Sequence, residues 1–215
     1  MIYILGAGAM ARETFNIYRD LGKVEEIRGF IEENCKRKNL KIYDKPVMDA
    51  SVIDNLPKNS LFVGAIGNPK RRRWIEKIEQ KGFKFDTVIH PSVIMSDSVN
   101  IGEGCIICPG VILTCDIRVG RHTIINVSST INHDCKIGNF VTISPGVNIG
   151  GRVIIEDECF IGIGVKIIND VHIGKGSFIG AGAVVTEDIP ENTLAVGVPA
   201  KPIRKITESD WRRLI

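Results

Sequence analysis

The sequence predicts a small α/β domain followed by a solenoid of short, stacked strands. Three observations lead to this fold class. From Ile101 to Val185 every sixth residue is Ile, Leu or Val, fifteen times in succession. The residue four places after each of these is small or β-branched. Before them, apolar runs typical of buried strands alternate with helical patterns, which indicates a small parallel sheet.

The six-residue period indicates a solenoid because each rung of such a fold stacks equivalent residues on its neighbours. Neither a helix, with a period of about 3.6, nor a strand, with a period of about 2, reproduces it. The aliphatic residue of each hexad is expected to point into the core, and the small residue allows the chain to turn a corner. Cys105, Cys135 and Cys159 occupy the small position, so we expect packed, reduced thiols there.

The elements before the solenoid follow from apolar patterns and stop signals. A strand at residues 2–5 runs into a glycine-rich segment, and a helical pattern then continues to Leu21, where Gly22 is a stop signal. The remaining predictions are a strand at 27–31, a loop at 35–40, a short strand and helical turn within 46–54, a buried strand at 61–66, a helix at 70–82 with Trp74, Ile75 and Ile78 inward, and a strand at 83–89.

These elements predict three parts of the chain. They are a Rossmann-like domain at residues 1–88, a solenoid domain at residues 89–205 and a C-terminal tail at residues 206–215. In the tail, an amphipathic turn is expected around Trp211 and Leu214.

Composition narrows the class of protein. The chain has 215 residues, 44% of them hydrophobic, and a net charge of +3, which is too weak to indicate binding to nucleic acid or a membrane surface. No apolar run approaches the roughly 20 residues of a membrane span, and the N-terminus lacks a signal-peptide layout. We therefore predict a cytoplasmic protein with no membrane span and no nucleic-acid partner.

Cys105 and Cys108 form a C-x-x-C pair, with Cys115, His122 and His133 elsewhere in the solenoid, and these are residue types that bind zinc. No second pair has the spacing of metal ligands, so we predict no metal.

The segment G-x-G-x-x-A, from Gly6 and Gly8 to Ala11, lies between the first strand and the first helix. Such a turn presents unhindered backbone amides and a helix N-terminus to a phosphate, although many serve only tight packing of strand and helix. Glu33 ends the second strand, where an acidic residue usually meets a ribose or base. The domain is too short to bind a dinucleotide, so a mononucleotide such as a nucleotide-sugar fits better.

The basic run Lys70, Arg71, Arg72 and Arg73 begins a predicted helix. Such a run usually forms a solvated face, but cations at a helix N-terminus are mildly unfavourable. A phosphate contact by one of them therefore stays an open alternative.

Among the four histidines, His133 has a distinct context. His90 precedes a proline at the domain boundary and is interpreted as structural or exposed, whereas His122 and His172 occupy outward hexad positions and are interpreted as surface residues. At His133 the usual glycine after the aliphatic residue is replaced by Asn132, and Asp134 follows. This places an imidazole and a carboxylate together at a corner of the solenoid.

The whole chain resembles the sialic-acid O-acetyltransferase-like family of hexapeptide-repeat acyltransferases, which includes the UDP-4-amino-sugar N-acetyltransferases. The residues that carry the resemblance are the glycine-rich turn, Ala-Ile-Gly-Asn at 65–68, His-Pro-Ser at 90–92, Asn-His-Asp at 132–134, Gly-Ala-Gly-Ala-Val-Val at 180–185 and Val-Gly-Val-Pro-Ala-Lys at 196–201. The resemblance implies a left-handed parallel β-helix in which three hexads form one coil of eighteen residues.

The resemblance also implies the chemistry. His133 would be the general base, Asp134 would orient it, and the unhindered backbone N–H of Gly151, one coil further on, would stabilise the oxyanion. Acetyl-CoA would be the co-substrate, bound by Ile163, Ala181, Gly182 and Lys201 in a groove between the subunits of a homotrimer. The nucleotide-sugar would bind at Gly6, Gly8, Met10, Ala11, Arg12, Glu33, Gly67 and Asn68.

The sequence departs from the family in its first turn. Many relatives carry G-A-G-G-H-A-K, where this chain has Ala9, Met10 and Arg12. The conformation should survive, but contacts with the sugar-nucleotide are expected to differ, which leaves the base of the nucleotide open.

The leading functional prediction is acetyl transfer to the amino group of a nucleotide-linked 4-amino sugar. An imidazole with its ordinary pKa of about 6.5 can accept the proton that the attacking amine loses, so direct transfer without an acyl-enzyme is favoured. Three alternatives stay open: O-acetylation of a sialic-type sugar, a γ-type carbonic anhydrase that would hold zinc, and a non-catalytic scaffold that binds a nucleotide.

Overall fold

A computed structural model describes residues 1–33 and 40–211. Most of the loop predicted at 35–40, and Leu214 in the tail, lie outside the described residues. No helix in the described ranges is long and apolar enough to cross a membrane.

The N-terminal part is a six-stranded sheet with two α-helices. The elements are β1 Ile2–Leu5, α1 Ala9–Asp20, β2 Ile27–Glu32, β3 Lys41–Ile42, β4 Lys45–Asp49, β5 Leu61–Gly64, α2 Arg72–Gln80 and β6 Lys84–Phe85, with 3-10 turns at Val24–Glu26, Ala50–Asn55 and Pro69–Arg71. The strands lie in the order β3-β4-β2-β1-β5-β6, and β1 pairs in parallel with both β2 and β5. The hairpin of β3 and β4 is antiparallel, so the sheet that we expected to be parallel is mixed at one edge.

The rest of the chain winds into a triangular prism of two-residue strands. In chain order β7 to β23 are Val88–Ile89, Ile94–Met95, Asn100–Ile101, Ile106–Ile107, Ile112–Leu113, Arg118–Val119, Ile124–Ile125, Thr130–Ile131, Lys136–Ile137, Thr142–Ile143, Asn148–Ile149, Ile154–Ile155, Phe160–Ile161, Lys166–Ile167, His172–Ile173, Phe178–Ile179 and Val184–Val185. An antiparallel pair, β24 Thr193–Val196 and β25 Lys201–Lys205, closes the far end.

Each prism strand pairs in parallel with the strand eighteen residues away, as Ile107 pairs with Ile125 and Ile125 with Ile143. The hexad aliphatics and the small residues that follow them form one buried cluster along the prism axis. Each fully buried aliphatic side chain contributes about 1.5–3 kcal/mol. The predicted inward positions are therefore confirmed.

The cysteines in the small hexad position are packed in the core, as predicted. Cys105, Cys135 and Cys159 are fully buried, and each thiol donates to the carbonyl fifteen residues later, at 3.1 to 3.2 Å. Burial raises the pKa of the Cys105 thiol to about 11 and of the Cys159 thiol to about 12. Among the described residues no group of three or more His, Cys, Asp or Glu side chains is arranged to hold a metal.

The strand predicted at residues 83–89 is wrong in its extent. It is two strands, of which β6 joins the N-terminal sheet while β7 is the first strand of the prism. The prism therefore begins two hexads before Ile101, with Ile89 and Met95 in register with the inward residues Ile107 and Leu113. Met95 is neither Ile, Leu nor Val, which is why the strict period missed these rungs. The predicted division of domains at residue 88 stays a prediction.

The three sheets of the prism have different surroundings. The sheet that contains β7, β10 and β13 is the covered face, because α1, the 3-10 turn before α2 and the C-terminal tail pack on it. The sheet from β8 to β23 is the open face, where Ile94 is 65% exposed and Ile112 is 37% exposed. The sheet from β9 to β21 is the polar face, whose outward residues are Asn100, Arg118, Lys136, Ile154 and His172.

Candidate active site

His133 and Asp134 lie at the corner between β14 on the open face and β15 on the polar face. Asp134 adopts a left-handed conformation with φ of 62°. His133 Nδ1 lies 2.8 Å from Asp134 Oδ2, and both side chains are about half exposed. An ionised carboxylate only accepts hydrogen bonds, so Nδ1 carries the proton and Nε2 is left as the basic atom. The structure therefore brings these two side chains together at one corner, and their roles as base and orienting group stay predictions.

Gly151 lies one coil further along the same corner, as expected. A Cβ atom at this position would lie 2.6 Å from His133 Nε2 and 2.5 Å from Cε1. The imidazole therefore packs directly on the glycine backbone, and no larger residue fits without moving the ring.

The Gly151 amide makes a hydrogen bond to the next coil. It donates to the side-chain oxygen Oδ1 of Asn169 at 3.0 Å. Asn169 lies a further coil along the corner, and the pattern of residues gave no reason to single it out. The role of the Gly151 N–H as oxyanion donor stays a prediction.

A column of charged residues runs beside this corner, one residue after His133, Gly151 and Asn169. It contains Asp134, Arg152 and Asp170. Arg152 binds Asp170 through two hydrogen bonds of 2.6 and 2.8 Å, and this pairing lowers the pKa of the Asp170 carboxyl. The column places a neutralised ion pair one coil away from the Asp134 carboxylate.

The residues predicted to bind the co-substrate lie at another corner of the prism. Ile163 is 61% exposed, and its carbonyl accepts the Gly182 N–H at 2.8 Å, so Ile163, Ala181 and Gly182 stack together. This corner precedes the strands of the open face, whereas the His133 corner follows them. Lys201 is exposed in β25, where its Nζ pairs with Glu187 at 3.1 Å.

The glycine turn lies at the carboxyl ends of β1 and β2. Gly6 has a φ of 97°, and its N–H donates to the Ile31 carbonyl at 2.7 Å. Gly8 is the N-cap of α1, and a Cβ at this position would meet no atom within 4 Å. Unhindered amides at a helix N-terminus suit a phosphate.

A cleft of about 280 Å³ adjoins this turn. The structure brings Gly6 together there with the acidic pair Glu32 and Glu33 that ends the second strand, and it adds Ile66 and Trp74, which the sequence did not assign to this site. Ile66 follows β5, the neighbour of β1, and the carboxyl ends of parallel strands share one edge of a sheet. The position of Ile66 directly after a strand that neighbours β1 is therefore the sequence signal that predicts its place near the Gly6 turn.

Two family models match the chain. The model described as the PglD N-terminal domain matches residues 1–78, and the model described as bacterial transferase hexapeptide (six repeats) matches residues 152–187. No curated protein sequence matches significantly.

Solved structures match nearly the whole chain. A mutant of perosamine N-acetyltransferase from Caulobacter crescentus, in complex with CoA and GDP-perosamine, is 30% identical, with 95% of this chain and 97% of that chain covered and a TM-score of 0.88. WeeI from Acinetobacter baumannii AYE is 30% identical, with 94% and 99% covered and a TM-score of 0.87. The acetyltransferase domain of PglB from Neisseria gonorrhoeae FA1090, in complex with acetyl coenzyme A, is 30% identical, with 94% and 98% covered and a TM-score of 0.87.

The chain belongs to the UDP-4-amino-sugar N-acetyltransferase family of hexapeptide-repeat acyltransferases. The resemblance seen in the sequence is thereby confirmed. So are the acyltransferase class and the fold class, a Rossmann-like domain followed by a left-handed parallel β-helix.

Three of the predicted substrate-binding positions of this acetyltransferase lie on the first turns of α1. Arg12 is exposed and Met10 is half-buried, so both side chains reach the surface near the glycine turn. Ala11, in contrast, is completely buried in the domain core. This small side chain serves the tight packing of helix on strand that was the alternative interpretation of the motif, and the contact of Ala11 with substrate stays a prediction.

Gly67 and Asn68 support the architecture of the acetyltransferase and do not line the Gly6 cleft. The Gly67 carbonyl accepts the Thr142 hydroxyl at 2.7 Å, which joins the N-terminal domain to the prism. Asn68 Oδ1 accepts the Lys70 N–H at 2.9 Å, and Nδ2 donates to the Trp211 carbonyl at 3.3 Å. Asn68 lines a separate cleft of about 540 Å³.

The basic run joins the two domains of the acetyltransferase. Arg71 is 3% exposed and donates to the Thr142 hydroxyl at 2.8 Å and to the His122 carbonyl at 2.6 Å. Burial lowers the pKa of its guanidinium to about 9, which still leaves it charged at neutral pH. The other three cations pair with the carboxylates of Glu76, Glu158 and Glu208. The alternative of a phosphate contact is excluded for Arg71 by its burial.

The expectation that His122 lies on the surface of the acetyltransferase is wrong. The side chain is 1% exposed, stacked on Phe140 and edge-on to Phe85, each with ring centroids 4.9 Å apart. Its Nε2 lies 3.1 Å from Glu79 Oε1. The position does point outward from the prism, but α2 and β6 of the N-terminal domain cover it.

The other two histidines agree with their interpretation. His172 is exposed on the polar face and bonds to Glu156 at 3.0 Å. His90 is structural, because it bridges Asp20 at 3.0 Å and Ser92 at 2.7 Å at the domain boundary.

Proposed function

We propose that this protein transfers the acetyl group of acetyl-CoA to the amino group of a nucleotide-linked 4-amino sugar, with His133 as the general base. The observation that carries the proposal is the pairing of His133 Nδ1 with Asp134 at 2.8 Å. It leaves Nε2 as the proton acceptor at an exposed corner of a hexapeptide-repeat acyltransferase.

The reaction follows from this tautomer. The acceptor amine attacks the thioester carbon while Nε2 takes its proton, and Asp134 stabilises the imidazolium that forms. The CoA thiolate then leaves and recovers that proton from His133. Each step is a direct transfer between the two substrates, so no covalent enzyme intermediate is needed.

Acetyl-CoA as co-substrate is supported by two neighbours, the Caulobacter crescentus enzyme with CoA and the Neisseria gonorrhoeae domain with acetyl coenzyme A. Ile163 and Ala181 present small and aliphatic exposed surface, which suits the pantetheine arm. Gly182 leaves room beside them, because a Cβ there would meet no atom within 4 Å.

The active site is proposed to lie between subunits. Within one chain the Ile163 corner and the His133 corner are separated by the whole open face. Packing the open faces of neighbouring chains around a common axis brings the His133 corner of one chain to the Ile163 corner of the next. Such packing also covers Ile94 and Ile112. A triangular prism closes in this way as a homotrimer with three sites.

The acceptor is proposed to bind through its nucleotide at the Gly6–Gly8 turn and the cleft beside Glu33. The Caulobacter crescentus neighbour was solved with GDP-perosamine, which supports a nucleotide-linked sugar for this chain. The free amides of the α1 N-terminus would take the diphosphate, and Glu33 a ribose hydroxyl.

The test is thiol release from acetyl-CoA with a panel of UDP- and GDP-linked 4-amino sugars and free sialic acid. We expect turnover with one sugar-nucleotide, and a fall of about 100-fold or more in the His133→Ala variant. His172→Ala is the matched control, since His172 is also an exposed imidazole paired with a carboxylate. Turnover on free sialic acid alone would replace the proposal with O-acetylation, and equal rates in both variants would remove His133 as the base.

A further inference from the structure

The charged column beside the His133 corner holds Asp134, Arg152 and Asp170, one in each of three successive coils. All three have a left-handed backbone, with φ of 62°, 59° and 65°, so their side chains leave the prism in the same direction. The Arg152 N–H donates to the His133 carbonyl at 2.8 Å. The Asp170 N–H donates to the Gly151 carbonyl at 3.0 Å. Arg152 therefore stands between two carboxylates, one coil away on each side.

The Arg152 guanidinium is paired with one of these two carboxylates. It binds Asp170 through Nε and Nη2, at 2.6 and 2.8 Å. Asp134 is instead paired with His133 Nδ1 at 2.8 Å. Neighbouring strands lie about 4.8 Å apart, so the long arginine side chain can reach the carboxylate of either adjacent coil. Asp170 and, less strongly, Asp134 raise the pKa of the Arg152 guanidinium, which means that both carboxylates attract it.

The other pairing would disturb the general base. A guanidinium that binds a carboxylate in a bidentate manner occupies both of its oxygens. If Arg152 bound Asp134 in this way, it would compete with the His133 Nδ1–H for Oδ2. It would also cancel the negative charge that stabilises the imidazolium formed when Nε2 accepts the amine proton. His133 would then be less firmly oriented and a weaker base.

We propose that Asp170 is a positioning residue for the acetyl-transfer reaction, because it holds the Arg152 guanidinium away from Asp134 and so keeps Asp134 paired with His133. This inference rests on the proposed function. Asp170 acts through Arg152 and Asp134, and not on the reacting atoms.

The other charged or titratable groups around the His133–Asp134 pair lie on the preceding coil or on the polar face; they are Cys115, Asp116, Arg118 and Lys136. The two cations among them are outward residues of β12 and β15, and they line a cleft of about 470 Å³ beside Asp134. Arg152, in contrast, is in the charged column and is bonded to Asp170. Removing the Asp170 carboxylate should therefore redirect Arg152 and leave the other two cations in place.

The test compares the full-length wild type with Asp170→Asn, Arg152→Gln and the double variant, in acetyl-transfer kinetics as a function of pH. In Asp170→Asn, Arg152 is free to bind Asp134, so we expect kcat on the plateau of the pH profile to fall about tenfold or more. The acidic limb of kcat/KM should move to lower pH, because an imidazole beside a neutralised carboxylate binds its proton less tightly. The double variant should recover kcat to within about threefold of the wild type, since the competing cation is gone.

Glu156→Gln is the matched control. Glu156 is also an exposed carboxylate that pairs with a side chain of the next coil, His172, at 3.0 Å. It follows β18, at the corner on the far side of the polar face from His133. This substitution removes one negative charge, as Asp170→Asn does, and should leave both the plateau and the acidic limb unchanged.

A second measurement does not depend on turnover. The His133 ring is titrated with pH by NMR, with its signal assigned from the His133→Ala spectrum. Its midpoint should lie at lower pH in Asp170→Asn than in the wild type. In Arg152→Gln it should lie at higher pH, because that variant removes a cation and leaves the Asp170 carboxylate unpaired.

Two results would overturn the inference. Wild-type kcat in Asp170→Asn would show that Arg152 does not compete for Asp134. A double variant as slow as Asp170→Asn would show that the loss comes from the coil and not from Arg152. Wild-type protein that does not turn over acetyl-CoA would instead contradict the proposed function, and the His133 titration would still test the pairing.

Discussion

At the scale of residues, the candidate site is defined by what lies at one corner in three successive coils. His133, Gly151 and Asn169 are spaced eighteen residues apart, so the prism stacks them although the chain separates them. The first has its Nδ1 oriented by Asp134. Gly151 has no side chain, so the His133 ring packs on its backbone. Asn169 Oδ1 accepts a hydrogen bond from the Gly151 N–H.

Gly151→Ala is expected to lower kcat by at least tenfold while acetyl-CoA affinity is retained. The added methyl group would lie 2.5 Å from the His133 ring and must displace it. The rate of proton transfer falls steeply when a general base is displaced from its position, so the substitution should slow the chemical step. Steady-state kinetics and acetyl-CoA titration measure the two quantities separately.

Gly138→Ala is the matched control. A Cβ there would lie 2.6 Å from the Asp157 backbone, at a corner away from His133. It should lower the melting temperature and leave kcat unchanged. Loss of kcat in this variant would show that crowding at any coil corner disturbs the site.

At the scale of elements, part of the organisation was predictable because it repeats. The inward positions, the core cysteines, α1 and the strand at Leu61–Gly64 all follow from local periodicity. The split of residues 83–89 into β6 and β7 does not follow from local periodicity, because both pieces are apolar and extended. Only their pairing partners, β5 for one and β10 for the other, distinguish them.

The N-terminus of α1 gives a prediction that separates binding from folding. Gly8 has a φ of −84°, and a Cβ there would meet no atom within 4 Å, so Gly8→Ala should fold normally. The methyl group would occupy the space where a phosphate approaches the helix amides. We expect KM for the sugar-nucleotide to rise about tenfold or more, with KM for acetyl-CoA unchanged. An unchanged KM for the sugar-nucleotide would place its diphosphate elsewhere.

At the scale of the whole molecule, the N-terminal domain is held on the covered face by buried polar groups. Arg71 spans the boundary, and beside it His122 is enclosed by Phe85 and Phe140. Burial lowers the pKa of His122, against the opposing effect of Glu79; Arg121 and Arg71 add to the lowering. The folded protein therefore keeps this imidazole neutral at pH values where the unfolded chain protonates it.

This predicts a pH dependence of stability. Below pH of about 6.5 the unfolded state takes up a proton at His122 that the folded state does not, so the free energy of unfolding falls as pH falls. His122→Gln lacks this proton uptake. We expect the melting temperature of the wild type minus that of the variant to shrink between pH 8 and pH 5. The exposed variant His172→Gln controls for general effects, and a difference that widens at low pH would mean that the Glu79 pairing dominates.

The sequence by itself determined the prism, its core and the corner that carries His133 and Asp134. It did so because an inward residue is surrounded by residues eighteen positions away, which obey the same pattern. The repeat does not predict what surrounds an outward residue. His122, Arg71 and the Gly151 amide each have a partner from another element or another coil, namely Glu79, Thr142 and Asn169. Only the tertiary structure decided these three environments, since each depends on which part of the chain packs on the outside of the prism.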